Sequence, residues 1–229
     1  MRCSKNQCCF IIMLLFLFAV LPRTSFAEKG DILDYSLFDI TPGFQENASG
    51  LFQGPYDIRH LRWGMSSEEV LMKEEIETYG KVLHKNFLQI TVPERRIVKI
   101  PCTLTYTFAE NRLSSILSSF HAELFRLNKY VDNFERLEFL LVEKYGSPLE
   151  KKVLWQNPES PYMDDPESFG MAVALGDLLY RTHWNTGTTI IHLSLEGEAL
   201  RCRLSLHYQS SALASREEEA AKEALLSEL

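Results

Sequence analysis

The chain is poor in the residues that mark several protein classes. Of its 229 residues only 11 are glycine and 9 are proline, while 45% are hydrophobic, which excludes collagen-like and intrinsically disordered chains. Its 24 basic residues are outnumbered by 31 acidic ones. Because a phosphate backbone needs a basic surface, we expect no nucleic-acid partner. The length allows one domain with a substantial core, or two small ones.

The motifs of common catalytic and metal-binding sites are also missing. The sequence contains no H-E-x-x-H, C-x-x-C, G-x-S-x-G, S-x-x-K or P-loop pattern, each of which holds its side chains at the spacing that its chemistry needs. The sequence therefore assigns no catalytic residue, no cofactor and no metal ligand. Side chains that converge only on folding could still form a site, so a small hydrolase with an unrecognised site stays an alternative.

The first 27 residues have the layout of a secretory signal peptide. Arg2 and Lys5 precede an apolar run of about 14 residues, from Cys8 to Leu21, and Ser25 and Ala27 suit the two key positions of a cleavage site. A bilayer-spanning helix needs roughly 20 apolar residues, and no later stretch approaches that length. We predict cleavage after Ala27 and a periplasmic or secreted protein with no transmembrane segment.

Removal of this leader changes the charge and the cysteine count. Residues 28–229 keep 21 basic and 31 acidic residues, a net charge of −10. Two of the five cysteines remain, Cys102 and Cys202, in a compartment that permits disulfides. A bond between them requires Cα atoms roughly 4.4–6.8 Å apart. The alternative is a pair of buried thiols that pack as small hydrophobes.

The pattern along the mature chain predicts an α+β fold, with two helices packed on an antiparallel sheet. We expect an irregular lead-in at 28–58, a single domain at 59–211 and a charged helical tail at 212–229. Within the domain, helices that end in Tyr-Gly at 79–80 and 145–146 precede sets of strands. The halves 59–125 and 126–211 could therefore be two α-β-β-β repeats.

Local signals define the individual elements. Ser66 and Glu69 form a capping box, and Met65 and Val70 occupy the positions of a hydrophobic staple, which predicts a helix from about Ser67 to Tyr79. The other expected elements are a helix at 128–145 and strands at 87–92, 100–108, 113–120, 178–185, 188–196 and 199–209.

Two of these segments carry a family resemblance. The segments WGMSSEEV at 63–70 and KYGSP at 144–148 resemble a loose group of small exported bacterial proteins of unknown function, with a WG-x-S-x-x-E-V helix start and a kYG-x-P helix end. The Gly-Met-Ser-x-x-x-Val part is also similar to the helix opening of BamE-type (SmpA/OmlA) outer-membrane assembly lipoproteins. That likeness implies an α-β-β-β unit and a binding role. It assigns no functional residue, and the lipid-bearing cysteine of those proteins has no counterpart here.

The last three strands provide a candidate binding surface. Turns at Thr186-Gly187 and Gly197-Glu198 would place Arg181 opposite His192, and His192 opposite Arg203. A basic row on an acidic chain could hold an anionic partner or ligand. The alternative is a solvated face, or one paired with the protein's own carboxylates. The residues of this candidate face are Arg181, His183, His192, Arg201 and Arg203, with His207 on the same side.

Together these features favour an exported, periplasmic, non-enzymatic protein that binds another cell-envelope component, with an envelope protein as its partner. Two alternatives remain: the small exported hydrolase already mentioned, and a ligand-binding or inhibitor module that uses one face of the sheet. The sequence predicts no oligomeric state.

Overall fold

The computed structural model describes residues 57–84, 87–121 and 126–226. The predicted signal peptide and nearly all of the predicted lead-in lie outside these described residues. Within them the chain forms an eight-stranded antiparallel sheet and four helices. The α+β prediction is confirmed, whereas the prediction of two helices undercounts them. No helix in these ranges is both long and apolar enough to cross a membrane.

The elements alternate between helices and strands. The helices are α1 (Ser67–Lys73), α2 (Asn128–Tyr145), α3 (Phe169–Leu175) and α4 (Ala214–Leu226). The strands are β1 (Gly80–His84), β2 (Phe87–Ile97), β3 (Ile100–Ala109), β4 (Arg112–Phe120), β5 (Glu150–Trp155), β6 (Leu178–Asn185), β7 (Thr189–Glu198) and β8 (Arg201–Ser210).

The strand order explains how the two halves of the chain meet. Across the sheet it is β1-β2-β3-β4-β8-β7-β6-β5. Two four-stranded meanders therefore join at the β4–β8 pair, and β1 and β5 form the two edges of the sheet. The first meander is β1–β4 and the second is β5–β8. The strands β1 and β5 were not predicted, so each meander has four strands where the sequence indicated three.

The beginning of α1 follows the sequence signals closely. The side chain of Ser66 accepts a hydrogen bond from the Glu69 amide, and the Glu69 side chain accepts one from the Ser66 amide. The helix ends at Lys73 rather than at Tyr79 as predicted, because Glu75 adopts a left-handed φ of 50° that an α-helix does not accommodate. Gly80 consequently begins β1 instead of closing the helix.

The sheet has two faces that differ in what covers them. The inner face carries Leu104, Tyr180 and Leu193, and α2 packs on it, with the Phe134 ring 5.2 Å from the Tyr180 ring. The outer face is covered over the first meander by α4, whose Glu217 carboxylate accepts a hydrogen bond of 2.8 Å from Ser115 Oγ. No described helix packs on the outer face of the second meander.

A close backbone approach fixes α3 against the second meander. A Cβ atom at Gly197 of β7 would lie 2.1 Å from the Val173 carbonyl oxygen of α3. A Cβ atom at Gly170 would lie 2.3 Å from the backbone at the start of α2. Both positions therefore require glycine, because α3 packs closely against α2 at one position and against β7 at the other.

The hairpins of the second meander turn later than predicted. The β6–β7 connection spans residues 186–188, and the β7–β8 connection consists of Ala199 and Leu200. These two residues have φ values of 50° and 63°, which is the left-handed pair that a two-residue hairpin of right-handed twist requires. Because Gly197 serves the contact with α3, β7 continues through it to Glu198.

Candidate functional site

The predicted basic row lies on the outer face, but its members have other partners than expected. His183 stands opposite His192 across β6 and β7, and His192 stands opposite His207 across β7 and β8. The predicted pairings of His192 with Arg181 and with Arg203 are wrong, because both hairpins turn further along the chain. The partner of His192 is displaced by two residues on β6 and by four on β8. A displacement by an even number of residues keeps a side chain on the same face of the sheet.

The three histidines therefore form one line across adjacent strands, which we call the histidine row (His183, His192 and His207). The rings of His183 and His192 are stacked, with centroids 4.5 Å apart and planes 20° from parallel. Glu150 of β5 stands opposite His183 and ends the line with a carboxylate. The sequence pattern predicts the histidines on one side of the strands, but their alignment depends on the register.

Two rings of the histidine row, those of His192 and His207, lie in surroundings that favour their uncharged form. Burial lowers the pKa of His192, and the neighbouring His183 and His207 lower it further. Burial also lowers the pKa of His207. The Nε2 atom of His183 is enclosed and has no hydrogen-bond partner among the described residues. His192 and His207 are consequently harder to protonate than a fully solvated imidazole.

Two of the predicted cations are already paired with a carboxylate of the protein. One carboxylate oxygen of Glu196 lies 3.4 Å from a guanidinium nitrogen of Arg181. The other lies 3.3 Å from a guanidinium nitrogen of Arg203. All three side chains are substantially exposed, so solvent screens these pairs and each stabilises the fold little. Arg181 and Arg203 are therefore paired with one of the protein's own carboxylates, which is the alternative that the sequence analysis gave to a free basic row. The pairing holds both guanidinium groups in place on the outer face.

Arg201 lies at the edge of a groove that the sequence did not predict. It is exposed, stands opposite Glu198 at the base of the β7–β8 hairpin, and makes no side-chain hydrogen bond or ion pair with a described residue. The groove has a volume of about 950 Å³ and runs between the end of α3, the hairpin and the end of β4. Arg203 lines it as well, so the groove is continuous with the outer face.

The two remaining cysteines are not bonded. Cys102 and Cys202 are free thiols, and β4 lies between their strands β3 and β8. Two strand spacings separate them by roughly 10 Å, which is more than a disulfide can span. Partial or full burial raises the pKa of each thiol to about 11, so both thiols, buried Cys102 and half-buried Cys202, have low reactivity. The disulfide prediction is therefore not met in this structure.

A buried polar cluster beneath α1 was missed by the sequence analysis. The Glu74 carboxylate is only 3% exposed and lies 3.3 Å from an Arg59 guanidinium nitrogen and 3.5 Å from His60 Nε2. The Arg95 guanidinium donates to the Glu74 carbonyl oxygen at 3.2 Å. Burial and the Glu74 charge raise the pKa of the Tyr106 hydroxyl. These contacts attach the segment before α1 to the sheet, and no sequence pattern signals them.

Metal binding and similarity to known proteins complete the description of the site. Across the parts of the chain that the structure describes, no three or more His, Cys, Asp or Glu side chains are grouped so that they could hold a metal ion. Comparison with protein-family models, curated proteins and solved structures found no match. The functional assignment therefore depends on the chemistry of the outer face and its groove.

Proposed function

We propose that this is an exported, periplasmic protein without enzymatic activity, and that the outer face of its second meander binds the acidic surface of another cell-envelope protein. The observation that carries the proposal is the alignment of His183, His192 and His207 across three adjacent strands of a face that no described helix covers. Arg201, which makes no side-chain hydrogen bond or ion pair with a described residue, lies at the end of the same face and supports it.

The charges of this face favour an anionic partner, increasingly so in acid. With neutral histidines the four cations exceed the three carboxylates by one, and protonation of His192 and His207 raises the excess to three. The residues concerned are Lys152, Arg181, Arg201 and Arg203, and Glu150, Glu196 and Glu198. On a mature chain of net charge −10, such a local excess directs an acidic partner to this face.

The hydroxyl groups near the histidine row support a binding role over a hydrolase. Ser194 and Ser205 face each other on β7 and β8, and their hydroxyl oxygens are 2.9 Å apart. They lie two residues along β7 and β8 from His192 and His207, and each has the other as its hydrogen-bond partner. A serine nucleophile needs a histidine within hydrogen-bond reach to take its proton, and this arrangement offers none.

The resemblance to small exported proteins and to BamE-type lipoproteins stays a proposal. It is supported by the way the Trp63-Gly64-Met65 segment attaches to the sheet. The Gly64 amide donates to the Leu113 carbonyl at 2.9 Å, and the Trp63 indole donates to Thr189 Oγ1 at 2.8 Å. An internal duplication is likewise proposed, since a helix precedes each four-stranded meander. The second unit then carries α3 as an insertion between β5 and β6.

The test of the binding proposal is a charge reversal compared with a matched control. Arg201→Glu reverses an unpaired charge on the outer face, and Arg96→Glu reverses an exposed arginine on β2. Both are compared with the wild type by chemical cross-linking in the intact envelope and quantitative mass spectrometry. We expect Arg201→Glu to reduce recovery of one acidic envelope protein about tenfold, and Arg96→Glu to leave it unchanged.

The pH dependence of the same recovery gives a second readout. We expect more cross-linked partner at about pH 5.5 than at about pH 7.5, because protonation of the histidine row adds positive charge. Equal recovery of every cross-linked protein by the wild type and Arg201→Glu would overturn the proposal.

A further inference from the structure

The outer edge of β5 combines exposed apolar and charged side chains on a strand with no neighbour. The strand is the last in the sheet order, and no described residue pairs with its outer side. Leu149 is 72% exposed, Val153 47% and Leu154 39%. An exposed strand edge is a template for further strand pairing, and proteins usually protect it with charges, prolines or bulges.

The lysines of β5 protect this edge poorly, because their charges are matched within the chain. Lys152 Nζ lies 2.6 Å from a Glu150 carboxylate oxygen, and the Lys152 ammonium lowers the pKa of that carboxyl. Lys151 Nζ lies 2.6 Å from a carboxylate oxygen of Glu138 on α2. Neither side chain therefore presents an unmatched positive charge that would repel a similar edge.

We propose that β5 pairs antiparallel with β5 of a second copy of this chain, around a two-fold axis that passes between the two Lys151 residues. Such an axis, perpendicular to the sheet, keeps the inner and outer faces of the two copies continuous. It places Leu149 opposite Val153 of the second copy, and Glu150 opposite Lys152 of the second copy. By symmetry each of these two pairs forms twice.

This register is complementary on both faces of the extended sheet. Val153 lies on the inner face, since it pairs with Tyr180, and the alternation along the strand puts Leu149 on the same face. The two exposed apolar side chains therefore cover each other. Glu150 and Lys152 lie on the outer face, where opposite charges directly across a strand pair attract.

The strand is also held firmly enough to act as a template. The Glu138 carboxylate accepts hydrogen bonds from Lys151 of β5 and, at 2.7 Å, from Thr182 Oγ1 of β6. It thereby connects both strands to α2. The Trp155 ring packs edge-on against Phe169 of α3, with centroids 5.6 Å apart. The other edge strand, β1, has the sequence GKVLH and contains no acidic residue, so it offers no matching pair of opposite charges to a second copy of itself.

The test uses two single charge reversals. Each should prevent pairing between two copies of the same variant, whereas one copy of each variant should still pair. In Glu150→Lys every cross-strand pair becomes Lys opposite Lys, and in Lys152→Glu it becomes Glu opposite Glu. We expect the purified wild-type protein to have twice the chain mass by light scattering, and each single variant to have the monomer mass. An equal mixture of the two variants should recover the dimer mass, because lysines of one chain then face glutamates of the other.

Two further variants keep the test decisive where a single reversal impairs folding. The double variant Glu150→Lys/Lys152→Glu again places opposite charges across the interface between two identical chains, so it should be dimeric. Lys151→Cys on the two-fold axis should oxidise to a covalent dimer, because directly opposite Cα atoms lie within disulfide range. The control Val153→Cys should not, since position 153 faces position 149.

A monomeric wild type at about 100 µM, a concentration far above the Kd of a specific dimer, would overturn the proposal. So would dimeric single reversals, or a monomeric double variant that keeps the native circular dichroism spectrum. Binding of an added peptide strand to a monomeric wild type would assign the edge to a different partner and would equally overturn it.

Discussion

The imidazole rings of His183 and His192 lie 4.5 Å apart and within 20° of parallel, on adjacent strands of an exposed sheet face. A proton on one ring raises the free energy of placing a second proton on the other. An anionic group bound over both rings would offset that repulsion. The stacked pair is therefore a place on the outer face where an anionic group of a partner would be stabilised by proton uptake.

His192 and His207 should make the protein less stable in mild acid. Because the pKa values of His192 and His207 are lowered in the folded protein, the unfolded chain binds these protons more readily than the folded chain below about pH 6.5. The free energy of unfolding therefore decreases as the pH falls below about 6.5. We expect His192→Asn/His207→Asn to lose less stability over this range, measured by urea unfolding at a series of pH values.

The control for this measurement is His121→Asn, which removes a histidine outside the histidine row. It should keep the wild-type dependence of stability on pH. A double row variant whose stability falls in acid as steeply as that of the wild type would contradict the account of the row.

Gly197 should tolerate no side chain. An added Cβ atom would lie 2.1 Å from the Val173 carbonyl oxygen, so α3 would have to move off the sheet. We expect Gly197→Ala to lower the free energy of unfolding by about 3 kcal/mol. Gly80→Ala is the matched control, since its Cβ atom would meet nothing closer than 3.8 Å, and its effect should stay within about 0.5 kcal/mol. Equal effects of the two substitutions on chemical unfolding would contradict this packing.

The buried Glu138 should couple α2 to the second meander through Thr182. Its carboxylate accepts the Thr182 hydroxyl at 2.7 Å in a buried setting, and truncation leaves that hydroxyl without its partner. We expect Glu138→Ala and Thr182→Val each to lower the free energy of unfolding by about 1–3 kcal/mol. The double variant should lose clearly less than the two losses combined. Additive losses in this double-mutant cycle would show that the two side chains do not interact.

Cys102 and Cys202 should be thiols of low reactivity. Burial raises the pKa of both Cys102 and Cys202 to about 11, and the thiolate is the reactive form. An aromatic disulfide reagent should react slowly at neutral pH with the folded protein expressed without residues 1–27, and with both thiols after denaturation. A mass that rises by two hydrogens on reduction would instead show a disulfide.

The sequence determined some elements fully because their signals are local. The helix α2 has the predicted bounds, Asn128–Tyr145, and β6 has the predicted bounds, Leu178–Asn185. A helical apolar face ended by Gly146 indicates the first, and the turn candidate Thr186-Gly187 indicates the end of the second. The capping box at Ser66 is local in the same sense. In each case neighbouring residues alone supply the free-energy preference.

The missed elements depend on distant partners. Edge strand β5 has the sequence EKKVLW, in which no alternation marks a buried face, and only its pairing with β6 makes it a strand. The β7–β8 turn uses Ala199 and Leu200 in left-handed conformations that neither residue favours on its own. Gly197 appeared to mark that turn, but its glycine serves the contact with α3.

The sequence predicted which residues of the candidate site share a face, but it did not predict which side chains stand opposite one another. Strand alternation placed Arg181, His183 and His192 on one face, and the structure agrees. The partners of each side chain follow from the register, which the two hairpins set. The bridging role of Glu196 and the alignment of His207 with the other histidines therefore became visible only in the folded chain.

The central claim is that the outer face of the second meander contacts an acidic envelope protein, and site-specific photo-crosslinking tests it most directly. A photoreactive amino acid is placed at Ser205, between Arg203 and His207 on the outer face, and separately at Arg96 on β2 as a control. The account predicts a cross-link to one acidic envelope protein from position 205 alone, lost when Arg201→Glu is added. Identical cross-linked products from both positions, or none from position 205, would contradict it.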